Sequence, residues 1–270
     1  MQRRLTFDGA QGLRLCVLGS GSGGNAVVLE AGGHRLLLDA GFSCREIERR
    51  LKAVGCSLEG FEGLVVTHEH GDHIRGVEVF ARRHGLTVYG TRGTFEGARW
   101  LRQAPPLVHL TSGEPREVGA FVVEPFRLPH DAREPIGVVV EAPGGARVGL
   151  VADLGTRSQL AWARLQDLDV LLLETNHDLT MLREGPYPWP LKERVAGRHG
   201  HLSNAQAADG LPELLSDRLR HVVLYHLSRT NNLPALAQAE IGEVLAREGS
   251  PAEMVVSHQF EPTPWLEIPA

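Results

Sequence analysis

LVVTHEHGDHIRG, residues Leu64–Gly76, runs an apolar strand straight into a dense set of ligand-type side chains. The strand reads as Gly63–Thr67, and a helix, Ile74–His84, is expected to follow it. Between them stand His68, His70, Asp72 and His73. His68 and His70 can point the same way, because side chains of an extended segment alternate with period two. Gly71 allows a tight turn. Asp72 and His73 then start the helix and can reach a second point nearby. Imidazole and carboxylate are borderline ligands suited to Zn²⁺, Mn²⁺ or Fe. A polar loop with satisfied histidines would explain one or two of these residues, but not this spacing.

One cluster cannot close two metal sites, so further ligands have to come from elsewhere. They occur repeatedly at the C-terminal ends of apolar runs. FVVEPFRLPH ends at His130, RVGLVAD at Asp153 and HVVLYH at His226, while VLLLET carries Glu174 into Asn176-His177-Asp178. Side chains delivered from strand ends converge on one sheet edge and are held there by rigid elements. The other runs that read as strands are Leu13–Leu18, Ala26–Glu30, Arg35–Asp39, Leu86–Tyr89, Ile136–Glu141 and Glu253–Val256. Helical patterns fall at Cys44–Val54, Thr94–Gln103, Ser158–Leu165, Leu191–Gly197, Asn204–Leu215 and Leu233–Glu248. Strands and helices alternate, with hairpins in each half, which favours a layered α/β or α+β architecture over a clean run of βαβ units. No linker rich in Pro, Gly or Ser divides the chain, so residues 1–270 are expected to form one domain.

Composition sets outer limits. The 270 residues carry a formal net charge of −5, with 23% charged and 42% hydrophobic residues, ordinary for a globular protein. The acidic balance argues against a surface coated in basic residues for nucleic acid, though it leaves a local site open. No apolar run reaches the ~18–20 residues needed for a membrane span. MQRRLTFDGAQG has a basic start but no apolar core behind it, so a signal peptide is not expected. Cys16, Cys44 and Cys56 lack metal-site spacing and read as reduced thiols, consistent with a cytoplasmic protein.

Leu18–Glu30, LGSGSGGNAVVLE, contains a literal G-x-G-x-x-G in Gly19, Gly21 and Gly24. That fingerprint means a nucleotide cofactor only where a helix opens directly after it. Here two short apolar runs joined by Gly32-Gly33 follow, which is a hairpin signal. A tight turn with glycines at positive φ is expected, and no nucleotide cofactor.

With these residues in place, the sequence resembles the metallo-β-lactamase superfamily, whose H-x-H-x-D-H is followed by a distant His, Asp and His. The resemblance implies an αββα sandwich of two back-to-back sheets with helices outside. Residue by residue, it implies that His68, His70 and His130 hold one divalent ion. Asp72, His73 and His226 would hold a second, with Asp153 bridging the two. LLLDAG resembles the strand whose Asp buttresses the site. Within the superfamily, ETNHDLTML, YPWPLKERVAGRHGHLSNAQAA and YHLSRTNN resemble the YycJ/WalJ-type group, associated with DNA 5′-to-3′ exonuclease activity. GHLSNAQAA is also similar to a stretch of ribonuclease Z, where a His meets the scissile phosphate and an upstream Glu orients it. His201 and Glu174 would be the matching pair, with Asp72 as the third catalytic residue. The long arm by which ribonuclease Z grips tRNA has no counterpart in this chain.

Two divalent ions (Zn²⁺ or Mn²⁺) against two aspartates leave a cationic site suited to a phosphodiester. The ions can lower the pKa of a bound water to about 7, giving a bridging hydroxide as nucleophile. The expected function is therefore a two-metal phosphodiesterase acting on DNA. The alternative is a small-molecule hydrolase on the same fold: a cyclic-phosphate diesterase, thioesterase or lactonase. His201 stabilises the transition state or protonates the leaving oxygen, unless it merely caps the helix beginning near Asn204. His177, Ser203 and Asn204 are further candidates for substrate contact. Similar proteins carry a like S-G-S-x-G-N turn at the site rim, which implies that Ser22 or Asn25 touches a substrate phosphate.

Overall fold

A computed structural model of the chain describes residues 12–98, 100 and 104–269. The first half supplies strands β1 (Leu13–Gly19), β2 (Ala26–Ala31), β3 (His34–Leu38), β4 (Phe61–Val65), β5 (Val88–Gly90) and β6 (Leu107–His109). The second supplies β7 (Arg116–Val118), β8 (Phe121–Arg127), β9 (Ile136–Glu141), β10 (Arg147–Val151), β11 (Val170–Glu174), β12 (His221–Tyr225) and β13 (Glu253–Val256). A last strand, β14 (Leu266–Ile268), returns to the first sheet. The two seven-stranded sheets run β14-β1-β2-β3-β4-β5-β6 and β13-β12-β11-β10-β9-β8-β7. Each is antiparallel on one side and parallel on the other, with β3 to β6 and β10 to β13 parallel.

Alternate residues of these strands enter different cores. Leu13, Leu15, Val17, Val27, Leu29, Leu36 and Leu38 face Val138, Val140, Leu150, Leu172, Val223 and Tyr225 in the layer between the sheets. Cys16, Leu18, Val28, Leu37 and Leu64 point the other way, onto α1 (Cys44–Ala53) and the helix Val77–His84. Val151, Leu171, Leu173, Val222 and Leu224 likewise meet the second outer helical layer, Gln159–Arg164, Asn204–Gly210 and Pro234–Arg247. A strand covered on both faces reads as a continuous apolar run, which is why VLLLE and HVVLY show no alternation. The result is the expected αββα sandwich. Among the described residues no helix is long and apolar enough to cross a membrane.

Several boundaries differ from the sequence reading. The expected helix Ile74–His84 is broken into α2 (Gly71–Ile74) and α3 (Val77–His84). Gly76 sits at the break, donating its N–H to the Ala40 carbonyl at 2.8 Å, and a Cβ there would overlap the Phe42 carbonyl oxygen. Thr94–Gln103 is instead Arg92–Gly97, and residues 101–103 lie outside the described residues, as does the N-terminal stretch 1–11. Asn204–Leu215 ends as a helix at Gly210 and continues as a 3₁₀ turn, Leu211–Leu214. The strands β6, β7 and β14 have three residues each and carried too little periodicity to be read.

The glycine-rich segment is the expected turn between β1 and β2, with Gly21 and Gly24 at φ 130° and 155°. Gly19 serves a different need. The Arg50 guanidinium lies against it to reach the Leu18 and Gln259 carbonyls, and a Cβ would collide with that group.

Candidate metal centre and active site

The C-terminal ends of the parallel strands of both sheets meet at one edge, the place where α/β sheets gather their ligands. Asp39 follows β3, Asp153 lies two residues after β10, Glu174 ends β11 and His226 follows β12. Four described non-glycine residues have positive φ, and three of them are Asp39 (58°), Asp153 (56°) and His226 (57°). Such conformations cost of order 1–3 kcal/mol each and persist only where the surroundings enforce them. Each turns the chain sharply at its strand end and sets a polar side chain toward the site.

The structure brings the seven expected ligands together. Donor atoms of His68, His70 and His130 lie within 4.8 Å of one another, as do those of Asp72, His73 and His226. Asp153 joins the two groups. Its Oδ2 lies 2.9 Å from His73 Nε2 and 3.8 Å from His68 Nε2, and its Oδ1 lies 3.3 Å from His226 Nδ1. Behind the ligands, Asp39 accepts from His73 Nδ1 at 2.7 Å and from the Thr67 N–H at 2.8 Å. His130 Nδ1 donates to the Gly200 carbonyl at 3.1 Å, which leaves Nε2 free to bind. Partners of this kind fix ring orientation and tautomer.

The donor set fits divalent ions. Asp39, Asp72, Asp153 and Glu174 place four carboxylates in a site that is largely closed to water. His68 Nε2 is buried with no hydrogen-bond partner among the described residues, and Asp153 Oδ2 is buried beside it, meeting the His73 ring alone. Two such atoms 3.8 Å apart leave the gap that one ion with bonds of about 2.0–2.2 Å fills. The charge balance of the donor set points the same way. Burial alone would lower the His226 imidazole, yet Asp153, Asp72 and Glu174 raise it to about 10. Burial likewise works against His73, and Asp39 and Asp153 overcome it to push the ring well above its ordinary value.

Glu174 is wholly buried and anchors two rings at once. Its Oε1 accepts from His201 Nδ1 at 2.8 Å and from His226 Nδ1 at 3.0 Å. Its Oε2 accepts the N–H groups of Leu154 at 2.7 Å and Leu202 at 3.2 Å. Burial opposes ionisation of this carboxyl, but His201 and His226 hold it down to about 2. Burial also works against protonating His201, and Glu174 outweighs it, so the ring titrates above its ordinary value. His201 opens on a cleft of about 370 Å³ whose wall also includes His70, Asp72, Tyr187, Arg194 and Ser228.

The candidate substrate contacts divide. Ser22 lines this cleft. Asn25 does not: it is fully buried, and its Nδ2 lies 3.4 Å from Asp72 Oδ2 and 3.1 Å from His73 Nε2, so it steadies ligands. Ser203, and not His201, caps the helix Asn204–Gly210, in a reciprocal box with Gln206. Asn204 is bonded to Asn232 at 2.9 Å, away from the cleft. His177 is fully buried and pairs backbone to backbone beside Ser203. Burial removes all three from substrate contact. The sequence reading missed Asp131, which lines the cleft and lies 3.3 Å from His130 Nε2, and Arg194, which holds it at 2.6 Å. The His130-Asp131 pair was the available signal for Asp131. The S-x-x-Q pattern at Ser203 was likewise a readable capping box.

The chain matches the beta-lactamase superfamily domain over residues 34–226. It is 34% identical over 241 residues to Exodeoxyribonuclease YycJ of Bacillus anthracis, covering 88% of this chain and 91% of that protein. Ribonuclease Z of Bradyrhizobium sp. (strain ORS 278) is more distant, 29% identical over 134 residues that cover 43% of this chain and 44% of the other. In fold it resembles the metallo-beta-lactamase fold protein YhfI from Bacillus subtilis, with a TM-score of 0.70 at 17% identity over 93% of this chain and 99% of that one. A matching family domain over most of the chain, laid on two sheets that bring a buried His/Asp cluster to one edge, makes this protein a member of the metallo-β-lactamase superfamily and a metal-dependent hydrolase.

Proposed function

We propose that the protein is a two-metal phosphodiesterase that shortens DNA from an end, in the 5′-to-3′ direction. The substrate and direction are carried over from the likeness to exodeoxyribonuclease YycJ and its group. The observation that carries the phosphodiester reading is the Glu174–His201 pair, 2.8 Å apart at the wall of the cleft beside the metal ligands.

His68, His70 and His130 would hold one ion, Asp72, His73 and His226 the other, and Asp153 would stand between them. When bound, Zn²⁺ or Mn²⁺ ions supply a water acidic enough to ionise near neutral pH and positive charge against the phosphate oxygens. The chain supplies the rest. Asp39 and Asn25 keep His73 and Asp72 aimed inward. Glu174 fixes the tautomer of His201 and raises its affinity for a proton, leaving Nε2 as the atom that donates to the phosphodiester. Such a donor can neutralise the departing oxygen. Ser22 offers a hydroxyl at the rim.

A cleft of about 370 Å³ is also of the size that takes one small ligand, so hydrolysis of a small phosphodiester on the same site is the second reading. One assay separates them: end-labelled single- and double-stranded DNA and RNA, with and without a 5′-phosphate, incubated with the Mn²⁺- or Zn²⁺-loaded chain. Stepwise loss of nucleotides from the 5′ end of DNA is expected. Intact polymers alongside turnover of cyclic dinucleotides or bis(p-nitrophenyl) phosphate would favour the second reading.

A further inference from the structure

Most cation partners in this acidic chain are carboxylates: Arg14 and Arg35 share Glu30, Arg218 meets Asp169, and Arg194 meets Asp131. Two arginines beside the cleft differ. Arg75, three residues after Asp72, donates from Nη1 to the Gly23 carbonyl at 3.0 Å. Arg229, next to the cleft residue Ser228, holds its guanidinium 4.8 Å from the ring centroid of Phe260. Neither is paired with a carboxylate among the described residues, and both are exposed. Glu261, the carboxylate adjacent to Phe260 in sequence, forms no ion pair with either.

These groups share one piece of backbone. The Gly23 N–H donates to Gln259 Oε1 at 2.6 Å, and Gln259 Nε2 donates to the Gly24 carbonyl at 3.0 Å. The turn that places Ser22 on the cleft is thus tied to Arg75 on one side and, through Gln259, to Phe260 on the other. Phe260 is 63% exposed, although Gln259 before it and Thr263 beyond it are buried. An aromatic ring left in water with an arginine stacked on it, continuous with a cleft that handles phosphodiesters, is the arrangement by which proteins grip single strands. Backbone phosphates meet the cations and an unpaired base stacks on the ring.

The geometry points to this rim, Arg75–Gly23–Phe260–Arg229, as the path of a single polynucleotide strand running from the cleft. The assignment rests on the reading of the substrate as DNA. Phe260 selects for an unpaired base, because bases inside a duplex present no free face. The two arginines are indifferent to sequence.

The test uses the metal-loaded full chain and its Phe260→Ala, Phe260→Trp, Arg75→Ala and Arg229→Ala variants. Fluorescence anisotropy measures binding of a fluorescein-labelled single-stranded deoxyoligonucleotide and of the blunt duplex of the same sequence. Phe260→Ala is expected to weaken single-strand binding roughly tenfold and duplex binding far less, with Phe260→Trp restoring it. Arg75→Ala and Arg229→Ala should weaken both and flatten the salt dependence. The ratio of oligonucleotide to bis(p-nitrophenyl) phosphate turnover should fall in step. Single-strand affinity unchanged in both Phe260→Ala and Arg229→Ala, in folded protein, overturns the rim, and so does an equal loss on duplex and single strand in Phe260→Ala. Binding that follows the expected pattern in a chain that cuts no DNA supports the rim and removes exonuclease activity. DNA cutting that is untouched by the variants does the reverse.

Discussion

Glu174→Gln keeps the shape of the side chain and removes its charge, so it isolates what the carboxylate does. Four donors converge on the native group: His201 Nδ1 and His226 Nδ1 on one oxygen, the Leu154 and Leu202 N–H groups on the other. An amide has one acceptor oxygen. Whichever way it is turned, an NH₂ faces two N–H donors in a fully buried place. Each unmet buried donor costs about 1–3 kcal/mol, so the metal-free chain should lose roughly 2–6 kcal/mol. His226 also loses the group that orients it, and such losses lower metal affinity about 10–100-fold. His201 loses the carboxylate that raises its proton affinity, and removal of a positioned proton donor costs about 10²–10⁴-fold in turnover. Chemical denaturation of the metal-free chain, chelator competition and kcat on a phosphodiester measure the three effects separately. A variant whose kcat and chelator resistance both stay within about threefold of the parent would refute the assignment of Glu174 as the anchor of the two rings.

Three further expectations concern other parts of the framework. Gly41→Ala drives a Cβ into the Asp72 carbonyl oxygen, so it should lower the bound metal below two ions per chain, as read by elemental analysis after gel filtration. Ser203→Ala removes the side-chain cap of Asn204–Gly210 and should cost about 1 kcal/mol of stability with KM unchanged; a large KM effect would reinstate Ser203 as a substrate contact. For the metal-free chain, the folded-state pKa of His226 is raised to about 10. Its contribution is therefore fully present below the unfolded value near 6.5 and lost as pH rises through about 10. That of Glu174, held down to about 2, is fully present above its unfolded value near 4.5 and lost as pH falls through about 2. Denaturation midpoints should be highest between those unfolded values and decline into the alkaline range. A flat profile up to about pH 10 would contradict the charge pairing of His226 with Asp153 and Glu174.

The parts of this molecule that were legible in its sequence are those with short-range chemical signatures. Candidate site residues at strand ends could be placed because β10, β11 and β12 are largely apolar runs that lead to Asp153, Glu174 and His226. The helical pattern read over Cys44–Val54 is α1, whose Ile47 and Leu51 are buried. What stayed hidden depends on tertiary contact. At the break the Gly76 N–H turns to the Ala40 carbonyl, far earlier in the chain, and the Phe42 carbonyl oxygen occupies the space that a side chain would need. The burial of Asn25, His177 and Asn204 cannot be told from residue type, since an amide or imidazole serves equally at a cleft or inside a wall. Asn25 is the clearest case. The turn around it was legible, but only the packed structure turns its amide from the cleft toward Asp72.

The positive φ values at Asp39, Asp153 and His226 tie the fold to the chemistry. A side chain leaving a strand in the ordinary extended conformation would continue the alternation of faces and enter one of the cores. Turning it into the space above the sheet edge requires a left-handed bend that a β-carbon resists. At about 1–3 kcal/mol apiece, three such bends are a burden that a small sheet could not carry. Here they stand at the ends of strands buried on both faces within two seven-stranded sheets. Their polar groups are met, too: the Asp39 carboxylate accepts from Thr67 and His73, and the His226 backbone N–H donates to Ser20 Oγ at 2.8 Å. Bound divalent ions would stabilise the same bends, because the carboxylates and imidazoles they set together repel or remain unpaired without cationic charge. The strain and the charge thus have a common relief, in keeping with the coincidence of left-handed residues and proposed metal ligands at Asp153 and His226.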